Sequence, residues 1–226
     1  MAVNKETYQR IRQELDAKQV TLVAVSKIQP VESILKLYEM GQRDFGENYV
    51  QELVDKQTAL PKDIRWHFIG HLQSNKVKFI APFVQLIHGV DSFKLLKEIN
   101  KEASKNNRVI DVLLQVHIAQ EETKFGLNEE ELNLIIQEFE NLEMSNIRIC
   151  GLMGMASFSD DMEKVRREFQ YLKMLFTKSA GKFTIHHSPF TILSMGMSGD
   201  YTIAIEEGST MVRIGSLLFG ARNYAT

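Results

Sequence analysis

A single cysteine among 226 residues means that no disulfide can close within this chain, so packing must hold the fold. That residue, Cys150, sits in an apolar run with Ile147, Ile149 and Leu152, the setting of a buried structural thiol rather than a nucleophile. Long hydrophobic runs are missing too. No uninterrupted apolar stretch could span a bilayer, and the opening MAVNKETYQR lacks the apolar centre of a secretory leader. A cytoplasmic protein with no membrane partner is expected. Neither sign of charge dominates: 27 Lys and Arg against 29 Asp and Glu leave a net charge of −2, which argues against a nucleic-acid binder. Arg166-Arg167 and the lysines around Lys76 are too sparse to define such a surface. No linker, low-complexity tract or composition shift marks a domain boundary.

What is present is a globular composition, 44% hydrophobic and 25% charged, laid out in a regular order. Asn4 suits an N-cap, and Tyr8, Ile11 and Leu15 follow at helical spacing, so an amphipathic helix opens the chain. Short runs rich in Val, Ile and Phe then alternate with segments of helical period. Strands are expected at 21–27, 43–47, 65–71, 84–90, 109–118, 147–156, 191–198 and 210–216. Helices are expected at 31–40, 49–58, 74–80, 93–105, 129–140, 162–178, 201–207 and 217–222. Pro30 is tolerated in a first turn, Ser92 and Asn128 suit caps, and Glu129-Glu130-Glu131 complements a helix N-terminus. Near-continuous apolar strands alternating with helices imply parallel strands covered on both faces. Eight repeats of about 28 residues favour an α/β fold, a closed (β/α)8 TIM barrel with an additional N-terminal helix, over an open doubly wound sheet. One domain is expected over 1–226.

In such a barrel the C-terminal ends of the strands build the site. Here the apolar runs stop in glycines and polar groups: Ser26-Lys27, Gly46-Glu47-Asn48, Gly70-His71, Asp91-Ser92, His117, Met153-Gly154-Met155, Ser194-Met195-Gly196 and Arg213-Ile214-Gly215-Ser216. Runs seven and eight, where these barrels commonly bind phosphate, end in SMGMS and RIGS. Glycine lets backbone N–H groups approach an anion, serine adds a donor, and a helix start adds partial charge. Each motif read singly could be a tight turn; together they favour an anion site.

Lys27 ends the first run, and strands one and eight are neighbours in a closed barrel. A lysine there would ordinarily just reach water. Beside a phosphate pocket, a desolvated amine near cationic groups becomes a nucleophile toward aldehydes, which suits a phosphate-bearing aldehyde cofactor. Arg213 either closes the rim through Glu206 or Glu207, or faces the pyridine nitrogen of such a cofactor. In the second case the nitrogen stays unprotonated and is a weak electron sink.

With these residues assembled, the chain resembles the small pyridoxal-phosphate homeostasis proteins, single-domain barrels related to alanine racemase. The resemblance is carried by VAVSK (23–27), FGENYVQE (45–52), WHFIGHLQSNK (66–76), GLMGM (151–155), LSMGMSGD (193–200) and VRIGSLLFGAR (212–222). It implies pyridoxal 5′-phosphate as cofactor, held as a Schiff base on Lys27. It also implies phosphate contacts from Ser194 and the backbone of Gly215 and Ser216, with Arg213 at the pyridine nitrogen. Asn48 and Met195 fall on family positions that line the pocket, and His71 stands nearby as either a site or a rim residue. The implied role is buffering and supply of the cofactor, with apoenzymes as partners.

The alternative is a racemase of small amino acids. Larger racemases of related fold pair a lysine with a tyrosine and complete the site with a second domain, which is not expected from the ten residues after Ser216. Tyr8, Tyr38, Tyr49, Tyr171, Tyr201 and Tyr224 offer no evident second base, so a monomeric carrier without efficient turnover is the leading expectation. A phosphosugar-binding barrel is a third reading. No metal is expected: His67 and His71 are four apart but strand-borne, too distant to share an ion, and His186-His187 suit a loop.

Overall fold

In a computed structural model of the chain, residues 3–119, 125–142, 144–183 and 190–220 are described. The eight expected strands are β1 Thr21–Val25, β2 Asp44–Glu47, β3 Arg65–Phe68, β4 Leu86–Val90, β5 Ile110–Val116, β6 Ile147–Gly154, β7 Ile192–Ser194 and β8 Met211–Ile214. They close in chain order into a parallel barrel, β8 returning to β1 with Thr21 opposite Met211 and Ala24 opposite Ile214. The helices are α1 Lys5–Ala17, α2 Val31–Glu39, α3 Val50–Ala59, α4 Val77–Ile80, α5 Phe93–Lys105, α6 Glu129–Asn141, α7 Met162–Phe183, α8 Tyr201–Glu206 and α9 Ser216–Phe219.

Local chemistry explains most of these boundaries. The Asn4 side chain accepts from the Thr7 N–H, Ser92 accepts from Leu95, and Asn128 forms a reciprocal capping box with Glu131. Six of the eight expected strands overran at their C-terminal ends, most of all β7, while β2 and β4 end as expected. There the run 191–198 contracts to Ile192–Ser194, because the chain turns into the rim loop after Ser194. The expected helix 74–80 splits into a 3₁₀ turn, Ser74–Lys76, and the short α4. Helix α9 ends at Phe219, and residues 221–226, with the end of the expected helix 217–222 and Tyr224, lie outside the described residues, as do His186 and His187.

Two apolar regions result. A continuous core lies between barrel and helices, with Trp66, Phe45, Phe68 and Phe169 among its largest buried side chains. A smaller cluster, Val23, Leu86, Leu113, Cys150, Met153 and Met211, is separate from it. Burial pushes the Cys150 thiol up to about 12, as the structural reading requires. No helix among the described residues is long and apolar enough to cross a membrane.

One irregularity lies within β6. Strand β6 slips register against β5 between the pairs Val112–Ile149 and Leu113–Gly151, inserting Cys150 as a bulge. Gly151 adopts φ +153°, and a Cβ there would collide with the carbonyl of Ile192. Gly151→Ala should therefore cost about 3 kcal/mol of folding stability, in the range of severe overpacking, measured as a lowered urea midpoint. An unchanged midpoint would show that the bulge can be rebuilt with a side chain present.

Candidate functional site

At the C-terminal mouth of the barrel a cavity of about 480 Å³ is lined by Lys27, Asn48, Arg213, Gly215 and Ser216, which lie far apart in sequence. Its wall continues through Val25, Ile69, Met155, Phe158 and the segment Met197–Asp200. This size suits a small cofactor or metabolite.

Lys27 follows β1 by two residues, and both of its neighbours are pinned. The Ser26 hydroxyl donates to Glu47 Oε1 at 2.6 Å, and the Ser26 carbonyl accepts from Lys56 Nζ at 2.7 Å. On the other side, Ile28 takes a left-handed φ of +63°, a costly conformation for a β-branched residue. Its N–H donates to Glu52 Oε1 at 2.6 Å. Lys56 joins the two sides, reaching Glu47 at 2.8 Å and Glu52 at 2.6 Å. The loop carrying Lys27 is thus clamped by three side chains from β2 and α3. Glu52 and Lys56 were missed in the sequence; their i,i+4 spacing was the available signal.

Arg213 is buried at the floor of the cavity. Its Nη1 donates to Ser194 Oγ at 2.6 Å and its Nη2 to the Gly154 carbonyl at 3.1 Å. It takes part in none of the ion pairs found among the described residues; Glu206 and Glu207 pair with Arg166 instead, at 2.6 and 2.5 Å. The rim salt bridge considered for Arg213 is therefore absent. Desolvation pushes its guanidinium down to about 10, opposed by Asp200, which still leaves it cationic at neutral pH.

Gly215 stands where a Cβ would press on the carbonyl and side chain of Val25, at 3.2 and 3.3 Å, and its N–H donates to Ser198 Oγ at 3.2 Å. Ser216 opens α9, which has only four residues, so its donors act locally and the expected helix partial charge is small. Asn48 carries a buried amide oxygen with no partner among the described residues, an acceptor left over for a bound group.

Two expected residues lie elsewhere. Ser194 is fully buried inside β7 and is occupied by Arg213 and by His88, off the cavity wall. Met195 is fully buried in the core between barrel and helices. Both follow from the early end of β7. The loop that reaches the cavity begins later in the same motif, so Met197 and Ser198 stand where Met195 and Ser194 were expected.

The remaining rim residues fall outside this cavity. His71 pairs with Asp91 at 3.3 Å, stacks on Phe125, and lines a second hollow of about 340 Å³ with Tyr49, Lys76 and Phe79. No described tyrosine lines the main cavity. His67 points to His88 and Asp44 rather than to His71, and no metal-binding group of three His, Cys, Asp or Glu occurs among the described residues.

Comparison with known proteins identifies relatives of this barrel. Residues 4–223 match the family described as the alanine racemase N-terminal domain. The chain is 44% identical over 204 residues to a pyridoxal phosphate homeostasis protein of Aquifex aeolicus, covering 90% of this chain and 87% of that one. It is 39% identical over 237 residues to the human protein of that name, covering 99% and 86%. Among solved structures, PipY of Synechococcus elongatus with pyridoxal phosphate bound superposes with a TM-score of 0.84 at 33% identity, covering 95% of this chain and 99% of that one. An alanine racemase from Bartonella henselae shares the fold, with a TM-score of 0.69 at 17% identity, covering 99% of this chain and 62% of that one.

The clamp beside Lys27 carries a titration. Burial raises Glu47 from 4.5 to about 7, against the opposing pull of Lys56 and Ser26. The folded state therefore binds more protons than the unfolded state between about 4.5 and 7, and stability falls as pH rises through that window. Urea midpoints taken across this range should fall in the unaltered chain and flatten in Glu47→Gln. A fall that persists undiminished in the variant would place the titration elsewhere.

Proposed function

The chain belongs to the alanine racemase N-terminal domain family, among its pyridoxal phosphate homeostasis proteins, and from that premise we propose that it holds pyridoxal 5′-phosphate on Lys27 and serves as a reservoir that supplies it. The observation that carries this reading is the convergence on one cavity of Lys27, a buried cationic Arg213, the Gly215–Ser216 turn and an unpaired Asn48 oxygen.

The residues fit the cofactor group by group. The bound cofactor supplies an aldehyde carbon and a conjugated ring that can accept electrons. Lys27 provides the amine for the aldehyde. The Ser216 N–H and the hydroxyls of Ser198 and Ser216 provide donors for the phosphate, and the Gly215 N–H, bonded to Ser198 Oγ here, would join them by exchanging that bond for one to the phosphate. Asn48 offers an acceptor to a ring substituent. Arg213 donates to the pyridine nitrogen and, keeping its proton at neutral pH, does not protonate it. That leaves the ring a poor electron sink.

Holding is favoured over turnover by what the mouth of the barrel contains. A racemase needs a base on each face of the substrate carbon, and among the described residues Lys27 is the one amine in the cavity wall. None of the described tyrosines lines that cavity: Tyr201 donates to Glu14, Tyr38 to Asp63 and Tyr8 to Gln42, while Tyr49, nearest by sequence, is exposed and lines the second hollow with His71. Recipients of the cofactor would be apoenzymes that bind it more tightly.

One equivalent of pyridoxal 5′-phosphate should give a visible absorption band that borohydride abolishes, leaving a reduced adduct that mass spectrometry places on Lys27. An adduct on any other lysine overturns the assignment. Ser198→Ala and Ser216→Ala should each weaken binding about tenfold, the worth of one hydrogen bond to a charged group. With L-alanine, chiral chromatography should find D-alanine forming no faster than in Lys27→Ala; sustained turnover would favour the racemase instead.

A further inference from the structure

Barrel interiors are usually filled by branched apolar side chains in layers. Here Asp44 on β2, His67 on β3, His88 on β4, Ser194 on β7 and Arg213 on β8 are all buried and joined end to end. Arg213 Nη1 lies 2.6 Å from Ser194 Oγ, and Ser194 Oγ lies 3.1 Å from His88 Nδ1. His88 Nε2 lies 2.9 Å from His67 Nδ1, and His67 Nε2 lies 3.0 Å from Asp44 Oδ1. At the far end Arg65, largely exposed, grips both oxygens of Asp44 at 2.7 and 2.5 Å.

The protons along this chain can be placed by elimination. A guanidinium only donates, so Ser194 Oγ accepts from Arg213. The Ser194 proton then has one acceptor within reach, His88 Nδ1. His88 therefore carries its own proton on Nε2 and gives it to His67 Nδ1. His67 in turn carries its proton on Nε2 and donates to Asp44. Burial alone would raise the Asp44 carboxyl, but the bonds from Arg65 and His67 outweigh it and hold it at about 2, so Asp44 accepts only. The opposite arrangement needs a doubly protonated His67 and an Nδ1–H on His88, which strands the buried Ser194 proton without an acceptor.

We propose that Asp44, His67, His88 and Ser194 form a one-directional hydrogen-bonded relay whose task is to position Arg213 at the cavity. Both terminal nitrogens of Arg213 are committed inside the barrel, to Ser194 and to the Gly154 carbonyl, which leaves its Nε–H outside these bonds. Turning the guanidinium would break both bonds and undo the proton order down to Asp44. Apolar side chains would fill the same space without desolvating two ionic groups, so stability alone does not account for the relay. That the positioned group serves the pyridine nitrogen rests on the function proposed above.

The relay is tested first in the unaltered full-length chain. Long-range ¹H–¹⁵N NMR of the labelled histidines at pH 7, assigned with His67→Gln and His88→Gln, should find both rings as Nε2–H tautomers. An Nδ1–H His88 or a doubly protonated His67 overturns the proposal. In protein loaded with pyridoxal 5′-phosphate, Ser194→Ala should weaken binding about tenfold, one hydrogen bond's worth, and shift the absorption maximum of the bound cofactor. Cys150→Ala, buried nearby but outside the relay, should leave the absorption maximum in place. Should Ser194→Ala not fold, Asp44→Asn, at the far end, should still shift that maximum. Affinity and spectrum unchanged in every folded relay variant would reduce the relay to a structural feature and overturn the proposal. Failure of the cofactor reading shows differently, as no borohydride-fixed adduct on Lys27 in the unaltered chain, a result on which the histidine tautomers do not depend.

Discussion

Arg213 sets the terms for the rest of the barrel. A guanidinium removed from water costs several kcal/mol unless its hydrogen bonds are met, and a carboxylate against it is the usual remedy. Here the bonds are met by a serine hydroxyl and a backbone carbonyl, and no described carboxylate pairs with it. The charge is therefore held in a low-dielectric pocket at the cavity wall, where the Asp200 carboxylate is the described acidic group acting on it. Such a site favours an electron-rich or anionic ligand before any ligand arrives.

Two buried polar assemblies divide the labour around that charge. The relay through Ser194, His88 and His67 ends on Asp44 and holds Arg213 from below. The clamp of Glu47, Lys56 and Glu52 holds the backbone on both sides of Lys27 and maintains the left-handed turn at Ile28. Strand β2 supplies one residue to each, Asp44 at its start and Glu47 at its end. Closure of β8 on β1 then brings the two assemblies to one cavity, with Val25 packed against Gly215.

This division bears on why such a site would hold a cofactor rather than exploit it. Catalysis at a carbon next to an amine needs an electron sink and groups that move protons. Arg213 supplies a donor that keeps its proton, and Glu47, Glu52 and Lys56 beside Lys27 are spent on fixing its loop. Cys150 and His88 are no substitutes: the thiol is pushed up to about 12 by burial, and His88 is held well below its usual range by burial and by the charge of Arg213.

Much of this was legible in the order of residues, because strand and helix signals are local. Alternating apolar runs, the caps at Asn4, Ser92 and Asn128, and the glycine-rich run ends indicated eight strands, their helices and a functional rim. Lys27, Arg213, Gly215 and Ser216 stood out because each sits where an apolar run stops, and that position has a chemical meaning in a barrel. What the sequence could not decide was which way side chains near a strand end face, since a difference of a few residues in where β7 stops moves Ser194 from the rim to the interior and passes its place to Ser198. Nor could it reveal the relay or the clamp, whose members come from up to five strands and a helix and look singly like isolated polar residues. Those contacts exist only once the barrel closes, because closure is what brings β2, β3, β4, β7 and β8 around one axis.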